Sequence, residues 1–195
     1  GRLIAGQGVL GSLELGYTSD LDMIFLHGAE PEGGMTDGQR PIANEVFFAR
    51  LAQRIVHLLT MHSAAGRLYE VDMRLRPSGK GGMLVTSIAA FAEYQRKEAW
   101  TWEHQALLHA RAVAGAPSLR ADFERERPEV LRTAVRRDTL REDVRSMRER
   151  MRRELSRAAA GEVDLKQDPG GIADIEFLAQ FWALRWAGEH PPVAL

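Results

Sequence analysis

Three aspartates carry the strongest chemical signal in this sequence. In a strand through Asp20, Leu21, Asp22 and Met23, alternation at period two turns both aspartates to one face and Leu21, Met23 and Phe25 to the other. Strict alternation in LYEVDMRLR (68–76) predicts a second strand, with Glu70, Asp72, Arg74 and Arg76 on one face and Tyr69, Val71, Met73 and Leu75 on the other. Like charges crowded on a sheet face cost free energy unless something neutralises them, and a divalent cation does so. Mg²⁺ prefers hard oxygen ligands and takes one or two protein carboxylates plus substrate phosphates. Two such ions, ~3.5–4 Å apart, can steady the attacking and leaving oxygens of a phosphoryl displacement. Arg74 and Arg76 beside the acids would fork onto phosphate oxygens. Asp-x-Asp alone reads more readily as a pair of surface acids on a solvated face; a same-face Asp72 and a glycine turn upstream reverse the reading towards phosphate chemistry.

That turn is Gly11-Ser12. By letters, Gly6-x-Gly8-x-x-Gly11 matches a dinucleotide fingerprint, but that reading needs a helix after the third glycine, and SLELGYTSD is too short to supply it. A turn whose amides and hydroxyl meet phosphate oxygens just before the acid-bearing strand fits better; the bland alternative is a tight bend without a ligand. Other constellations carry less. His57 and His62, like His104 and His109, stand five apart, so neither pair shares a helix face as zinc ligands would, and they read as core or rim histidines. Ser63, Ser78 and Ser87 lack a nucleophile-elbow context. Trp100 and Trp102 read as packing residues.

The elements that must position these groups follow from pattern. Residues 2–10 and 20–27 read as strands, and the Gly-, Pro- and Asp-dense 29–41 as a loop. Phe47, Phe48, Leu51, Ile55, Leu58 and Leu59 recur at helical spacing before Met61. PSGKGG (77–82) reads as a turn, MLVTS (83–87) as a hairpin partner, and 88–114 as two helical patterns. Between Arg120 and Arg157 stand thirteen Arg and nine Asp or Glu, with Leu140, Val144, Met147, Met151 and Leu155 recurring at four, three, four and four. This predicts one long helix with i,i+4 ion pairs, and Thr139 with Glu142 has capping-box spacing. DLKQDPGGIADIEFLAQFWALRWAG gives a Pro-Gly-Gly break and an apolar helix. The fold class is therefore α+β: a mixed sheet with flanking helices over residues 1–115, then a helical part over 116–195 that reads as truncated. The start at Gly1 and the stop after a helical pattern suggest a fragment.

Composition narrows the partners. With 195 residues, 45% hydrophobic and 27% charged, the chain has the make-up of a globular protein. Lys plus Arg total 26 against 27 Asp plus Glu, a net charge of −1 that offers no global field for nucleic acid or an anionic membrane. The Arg-rich helix has interspersed acids and no interleaved aromatics, which argues against stacking on bases. There is no cysteine, which fits a cytoplasmic location, and no apolar run nears the about 20 residues that span a bilayer.

Longer stretches carry a family likeness. Gly11-Ser12, then Ser19-Asp20-Leu21-Asp22, then an aspartate in a later strand resembles the metal-binding signature of the nucleotidyltransferase superfamily that includes DNA polymerase β. GSLELGYTSDLDMIFLH, MTDGQR, FFARLAQRIVHLL, YEVDMRLRPSGKGGMLVTS, KEAWTWEHQALLHARAVAG and DLKQDPGGIADIEFLAQFW resemble the glutamine synthetase adenylyltransferase family over nearly the whole chain. The MTDG loop and the SGKGGMLVTS and EAWTWEHQAL segments are more similar to its C-terminal, adenylylating unit than to its sister deadenylylating unit. The resemblance implies Asp20, Asp22 and Asp72 as metal-binding, catalytic carboxylates, two Mg²⁺ ions, ATP as substrate, and Gly11, Ser12, Ser19, Arg74 and Arg76 against the nucleotide. Glu70 flanks them on the same predicted face; Glu103, Gln105, Asp174 and Glu176 fall in family segments whose roles spacing does not reveal. Asp174 and Glu176 are two apart on a helix and do not share a face. Val9 stands where the likeness leads one to expect lysine.

The chemistry so implied is transfer of AMP from ATP to a tyrosine hydroxyl of glutamine synthetase, with pyrophosphate released. A phenol with a pKa of about 10 needs help losing its proton, and Asp72 is the candidate base. The likeness also implies a PII signalling protein as partner of the full-length enzyme. Two alternatives stay open: the sister unit, which removes AMP with phosphate to give ADP, and a docking or regulatory module without turnover, for which Val9 and Ser12 are the first signs.

Overall fold

The computed structural model describes residues 2–6, 8–13, 16, 19–28, 34–64, 66–156 and 161–190, without the side chains of residues 2, 3, 8, 9 and 80. The fold is α+β, a mixed five-stranded sheet with helices followed by C-terminal helices. The chain divides into two compact units: residues 1–99 with 109–127, and residues 100–108 with 128–195.

The first unit is built on strand β1 (Arg2–Gly6), a single helical turn α1 (Gly8–Gly11), strand β2 (Leu21–His27) and helix α2 (Asn44–Thr60). A small hairpin, β3 (His62–Ser63) and β4 (Gly66–Arg67), precedes β5 (Val71–Asp72). Then come a 3-10 turn at Gly79–Gly81, β6 (Val85–Ser87) and helix α3 (Ile88–Lys97). After helix α4 (Thr101–Leu108), which belongs to the second unit, β7 (Arg111–Gly115) returns to the sheet. β1 lies between β2 and β7, antiparallel to both, whereas β5 and β6 run parallel to β2, at its start and its end respectively.

Alternation places the core. Leu21, Met23 and Phe25 join Val85 and Ala52 of α2 in a buried cluster, with Phe48, Ile55, Val56 and Leu59 packed on it. Ile24 and Leu26 are also buried, so β2 is covered on both faces. The α2 stripe is rotated slightly from expectation: Phe47 and Leu58 are exposed. Ser87 accepts the Ala90 N–H at 3.1 Å and caps α3, the local reason for a helix start there.

Sheet pairing and local turns correct several expectations for the first unit. The alternating run 68–76 is a strand only at Val71–Asp72, because the Asp72 carboxylate accepts the Arg74 backbone N–H at 2.8 Å and bends the chain into a turn. The turn continues through Ser78, which has a φ of 59°. Arg74 and Arg76 therefore do not extend one strand face beside Asp72. Residues 83–87 are no hairpin partner for that strand; β6 pairs in parallel with β2, where Val85 fills the core. Residues 111–115, read as the end of a helical pattern, form β7 because β1 offers them an antiparallel edge.

In the second unit, helix α5 (Pro117–Thr133), whose first part belongs to the first unit, is followed by α6 (Leu140–Leu155) and α7 (Ile172–Trp186). The predicted single Arg-rich helix is thus two. Arg137 ends the first by donating from Nη2 to the Arg132 carbonyl at 2.9 Å. Thr139 precedes α6 as expected but makes no capping-box bond; its hydroxyl instead reaches the Asp143 carboxylate at 3.0 Å. Val144 and Leu140 are buried, and Arg145 pairs with Glu142 at 3.0 Å on the outer side. Among the described residues, no helix is long and apolar enough to cross a membrane.

Candidate active site

Sheet register brings the acids together. Asp22 on β2 and Asp72 on β5 are direct partners across a parallel pair, as are Leu21 and Val71 beside them. Partners in register point to the same face, so Asp72 stands on the Asp22 side of the sheet, with Asp20 just before the start of β2. The Leu21 N–H donates to the Glu70 carbonyl at 2.8 Å and closes the seam. Burial pushes the Asp22 carboxyl up to about 6, and the negative charges of Asp72 and Asp20 push in the same direction, with Arg74 opposing them. The Asp72 side chain is only 14% exposed and is held by Arg74, whose Nε donates to Oδ2 at 2.6 Å and whose Nη2 pairs with the same oxygen.

The donor set suits a hard divalent cation: it is all oxygen, partly buried, and its crowded negative charges add to the burial that raises the Asp22 carboxyl. Among the described residues, no three His, Asp or Glu side chains are already gathered as a metal cage. Arg74, at 69% side-chain exposure, is a cationic partner of Asp72.

The glycine turn lies at the same end of the sheet. Gly6, the last residue of β1, pairs with Met23 on one side and Arg111 on the other, and α1 follows directly. A Cβ on Gly11 would lie 1.6 Å from the His109 carbonyl oxygen, so only glycine allows this approach. Ser12 Oγ is 2.8 Å from His109 Nδ1, and Arg111 Nε donates to the Gly11 carbonyl at 3.1 Å. Ser19 closes a separate turn, its Oγ accepting the Gly16 N–H at 3.1 Å. Val9 is the second residue of α1; its side chain lies outside the described residues.

The family described as glutamate-ammonia ligase adenylyltransferase matches residues 1–126. The chain belongs to the glutamate-ammonia ligase adenylyltransferase family. It is 52% identical over 197 aligned residues, 98% of this chain, to the bifunctional glutamine synthetase adenylyltransferase/adenylyl-removing enzyme of Hahella chejuensis. It is 54% identical over 193 residues, 99% of this chain, to the protein of the same name from Thioalkalivibrio sulfidiphilus. The chain spans 20% of the length of each of these relatives.

The remaining positions that the adenylyltransferase likeness suggested have other local partners. Glu70 is exposed and pairs with Arg67. Arg76 ties its own loop, Nη1 donating to the Met73 carbonyl at 2.8 Å. In the second unit, Glu103 accepts the Trp100 N–H at 2.9 Å, the reach-back half of a capping box at the start of α4. Gln105 donates from Nε2 to Gln180 Oε1 at 2.8 Å. Asp174 accepts the Gly170 N–H at 2.7 Å and pairs with Arg148 at 2.7 Å and Arg152 at 3.1 Å. Those contacts, the Gly170 bond first, hold its carboxyl below the usual range. Glu176 is exposed, on a different face from Asp174. Spacing failed to single out His109 and Arg111: their contacts with residues 11 and 12 span about a hundred residues, and only the β1–β7 pairing brings them there.

Proposed function

We propose that the sheet-based unit transfers AMP from ATP to a tyrosine hydroxyl of glutamine synthetase and releases pyrophosphate, as the adenylylating, C-terminal unit of the bifunctional enzyme. Residues 1–115 are assigned to this nucleotidyltransferase domain and 116–195 to a helical domain. The observation that carries the reading is the register partnership of Asp22 and Asp72 at the sheet end where the Gly11-Ser12 turn also lies. Membership of the family, and the relatives' name, support the same chemistry.

In this reading Asp20, Asp22 and Asp72 would hold Mg²⁺, two ions in all. When bound, the cations supply charge neutralisation for the triphosphate and for the leaving pyrophosphate. The chain's own part is positional. Gly11 brings backbone against the phosphates and Ser12 offers a hydroxyl, with Ser19 and Arg76 along the nucleotide. Arg74 is poised to exchange its partner Asp72 for a phosphate oxygen, which its fork fits equally well. Asp72, so released, accepts the phenolic proton as the tyrosine oxygen bonds to the α-phosphorus and the bond to the bridging oxygen breaks. Glu70, Glu103, Gln105, Asp174 and Glu176 are assigned at most to supporting this arrangement. A PII signalling protein is the proposed regulatory partner in the longer enzyme, in the cytoplasm.

Incubation with labelled ATP, Mg²⁺ and glutamine synthetase should label the synthetase, and Asp20→Asn or Asp22→Asn should fold yet lose the label. Full labelling by either variant removes the metal assignment. A parallel incubation with phosphate and AMP-modified glutamine synthetase tests the sister activity: release of ADP there, without labelling in the first, reassigns the unit to AMP removal. Absence of any metal-dependent heat on titration with Mg²⁺-ATP makes it a docking module instead.

A further inference from the structure

We propose that His109 is a positioning residue for the nucleotide: its Nδ1–H donates to Ser12 Oγ and thereby leaves the Ser12 hydroxyl proton for a phosphate oxygen of ATP. This rests on the AMP-transfer reading and deepens it. Ser12 Oγ and His109 Nδ1 are 2.8 Å apart, and a hydroxyl has one proton to give and two lone pairs to receive with. If the hydroxyl donates to Nδ1, its proton is spent and it turns lone pairs towards any approaching anion. If Nδ1 carries the hydrogen, Ser12 receives at one lone pair and its own proton is free. A phosphate oxygen only accepts, so a triphosphate selects the second arrangement.

Backbone contacts around residues 11 and 109 hold the pair in place. The His109 carbonyl lies so close to Gly11 that a Cβ there would come within 1.6 Å of its oxygen, and Arg111 Nε holds the Gly11 carbonyl at 3.1 Å. Residues 109 and 111 thus fix both members of the turn from the side of β7. Gly6 pairs with Arg111 and with Met23, the neighbour of Asp22, which carries this bracing to the end of the sheet where the acids stand. A histidine at 109 is the member of this set that can choose which atom bears the hydrogen.

The test compares wild type with Ser12→Ala, His109→Ala, His109→Asn and the Ser12→Ala/His109→Ala double variant. Readouts are the Kd for Mg²⁺-ATP by calorimetry, the KM for ATP and kcat of AMP transfer, and thermal melting as a check on folding. His109→Ala and Ser12→Ala should each weaken ATP binding about tenfold, the scale of a hydrogen bond to a charged group. The double variant should lose no more than Ser12→Ala alone, since His109 acts on the nucleotide only through the Ser12 hydroxyl. Asn places an amide N–H near the Nδ1 position and should restore affinity to within about twofold of wild type. Wild-type affinity in His109→Ala, multiplicative losses in the double variant, or no rescue by Asn in a normally melting protein each overturns the proposal. A wild type that binds ATP but transfers no AMP sinks the transfer reading and leaves the His109 comparison intact; one that binds no ATP sinks both.

Discussion

Asp22 and Asp72 face one another as partners across the β2–β5 seam, and the charge of the second is one reason the first holds its proton up to about pH 6. A folded state that crowds acids in this way is less stable when they are ionised, and whatever neutralises them is linked to folding.

The first prediction is a pH-dependent metal effect on stability. The folded chain binds the Asp22 proton more tightly than an unfolded chain, whose value is near 3.8, so the associated stability is fully present below that value and is lost as pH rises through about 6. Mn²⁺ competes for the same oxygens. It should raise the melting temperature clearly at pH 8 and little at pH 5, read by scanning fluorimetry. Asp22→Asn should melt higher than wild type at pH 8 without metal and should respond weakly to Mn²⁺ at either pH. An undiminished Mn²⁺ response in that variant places the cation elsewhere.

Asp72→Asn should separate chemistry from folding. The amide oxygen can still accept the Arg74 N–H that makes the turn, and the ion pair it loses involves a guanidinium 69% exposed, so the stability cost should stay within about 1 kcal/mol. AMP transfer should fall at least about a hundredfold, the lower range for loss of a general base. Denaturant melts and labelled-ATP assays on the same preparation decide; a large stability loss would mean Asp72 serves the fold first.

Gly11→Ala tests the close approach at the turn. The added carbon meets backbone, the His109 carbonyl, which has no rotamer by which to retreat. Overpacking of this kind costs about 1–3 kcal/mol, and relief requires the Ser12 and Arg111 contacts to shift. ATP affinity should therefore fall together with the melting temperature, and a variant with wild-type melting and wild-type affinity would show that the turn is loose.

How far these groups were legible in the sequence depended on the range of the force that placed them. Asp20 and Asp22 were readable because alternation in a strand with buried Leu21, Met23 and Phe25 leaves them no other side. Asp72 was readable as a same-face acid, but the strand around it was overestimated: alternation persists to Leu75, while a single side-chain bond from Asp72 to the next residue but one ends the ladder. The stretch RAVAG carries weak local preference and becomes β7 through pairing with a strand more than a hundred residues earlier. The break between α5 and α6 has neither Gly nor Pro; Arg137 makes it by reaching back to carbonyls. The α7 helix was plain from its pattern, yet the buried partner of its Asp174, Arg148, lay hidden among thirteen arginines of similar surroundings.

That last pair gives a prediction independent of AMP transfer. Arg148 is buried in the second unit, where its guanidinium bonds Asp174 Oδ1 at 2.7 Å and the Gln167 carbonyl at 2.7 Å, while Arg152 adds a weaker contact to the same aspartate. Removing the carboxylate leaves a guanidinium out of water with its charge uncompensated, so Asp174→Ala should cost about 3 kcal/mol, the low end for a broken buried pair because Asp174 keeps some solvent contact. Asp174→Asn retains an acceptor for Arg148 and for the Gly170 N–H and should cost less. Because the folded carboxyl titrates below its ordinary value, this stability is present above the usual carboxylate range and is lost as pH falls through the depressed value, the opposite sense to Asp22. Melts of wild type and both variants from neutral to acid pH should converge as pH falls. If Asp174→Ala instead melts like wild type while ATP binding collapses, Asp174 belongs to the nucleotide site and not to the Arg148 pair.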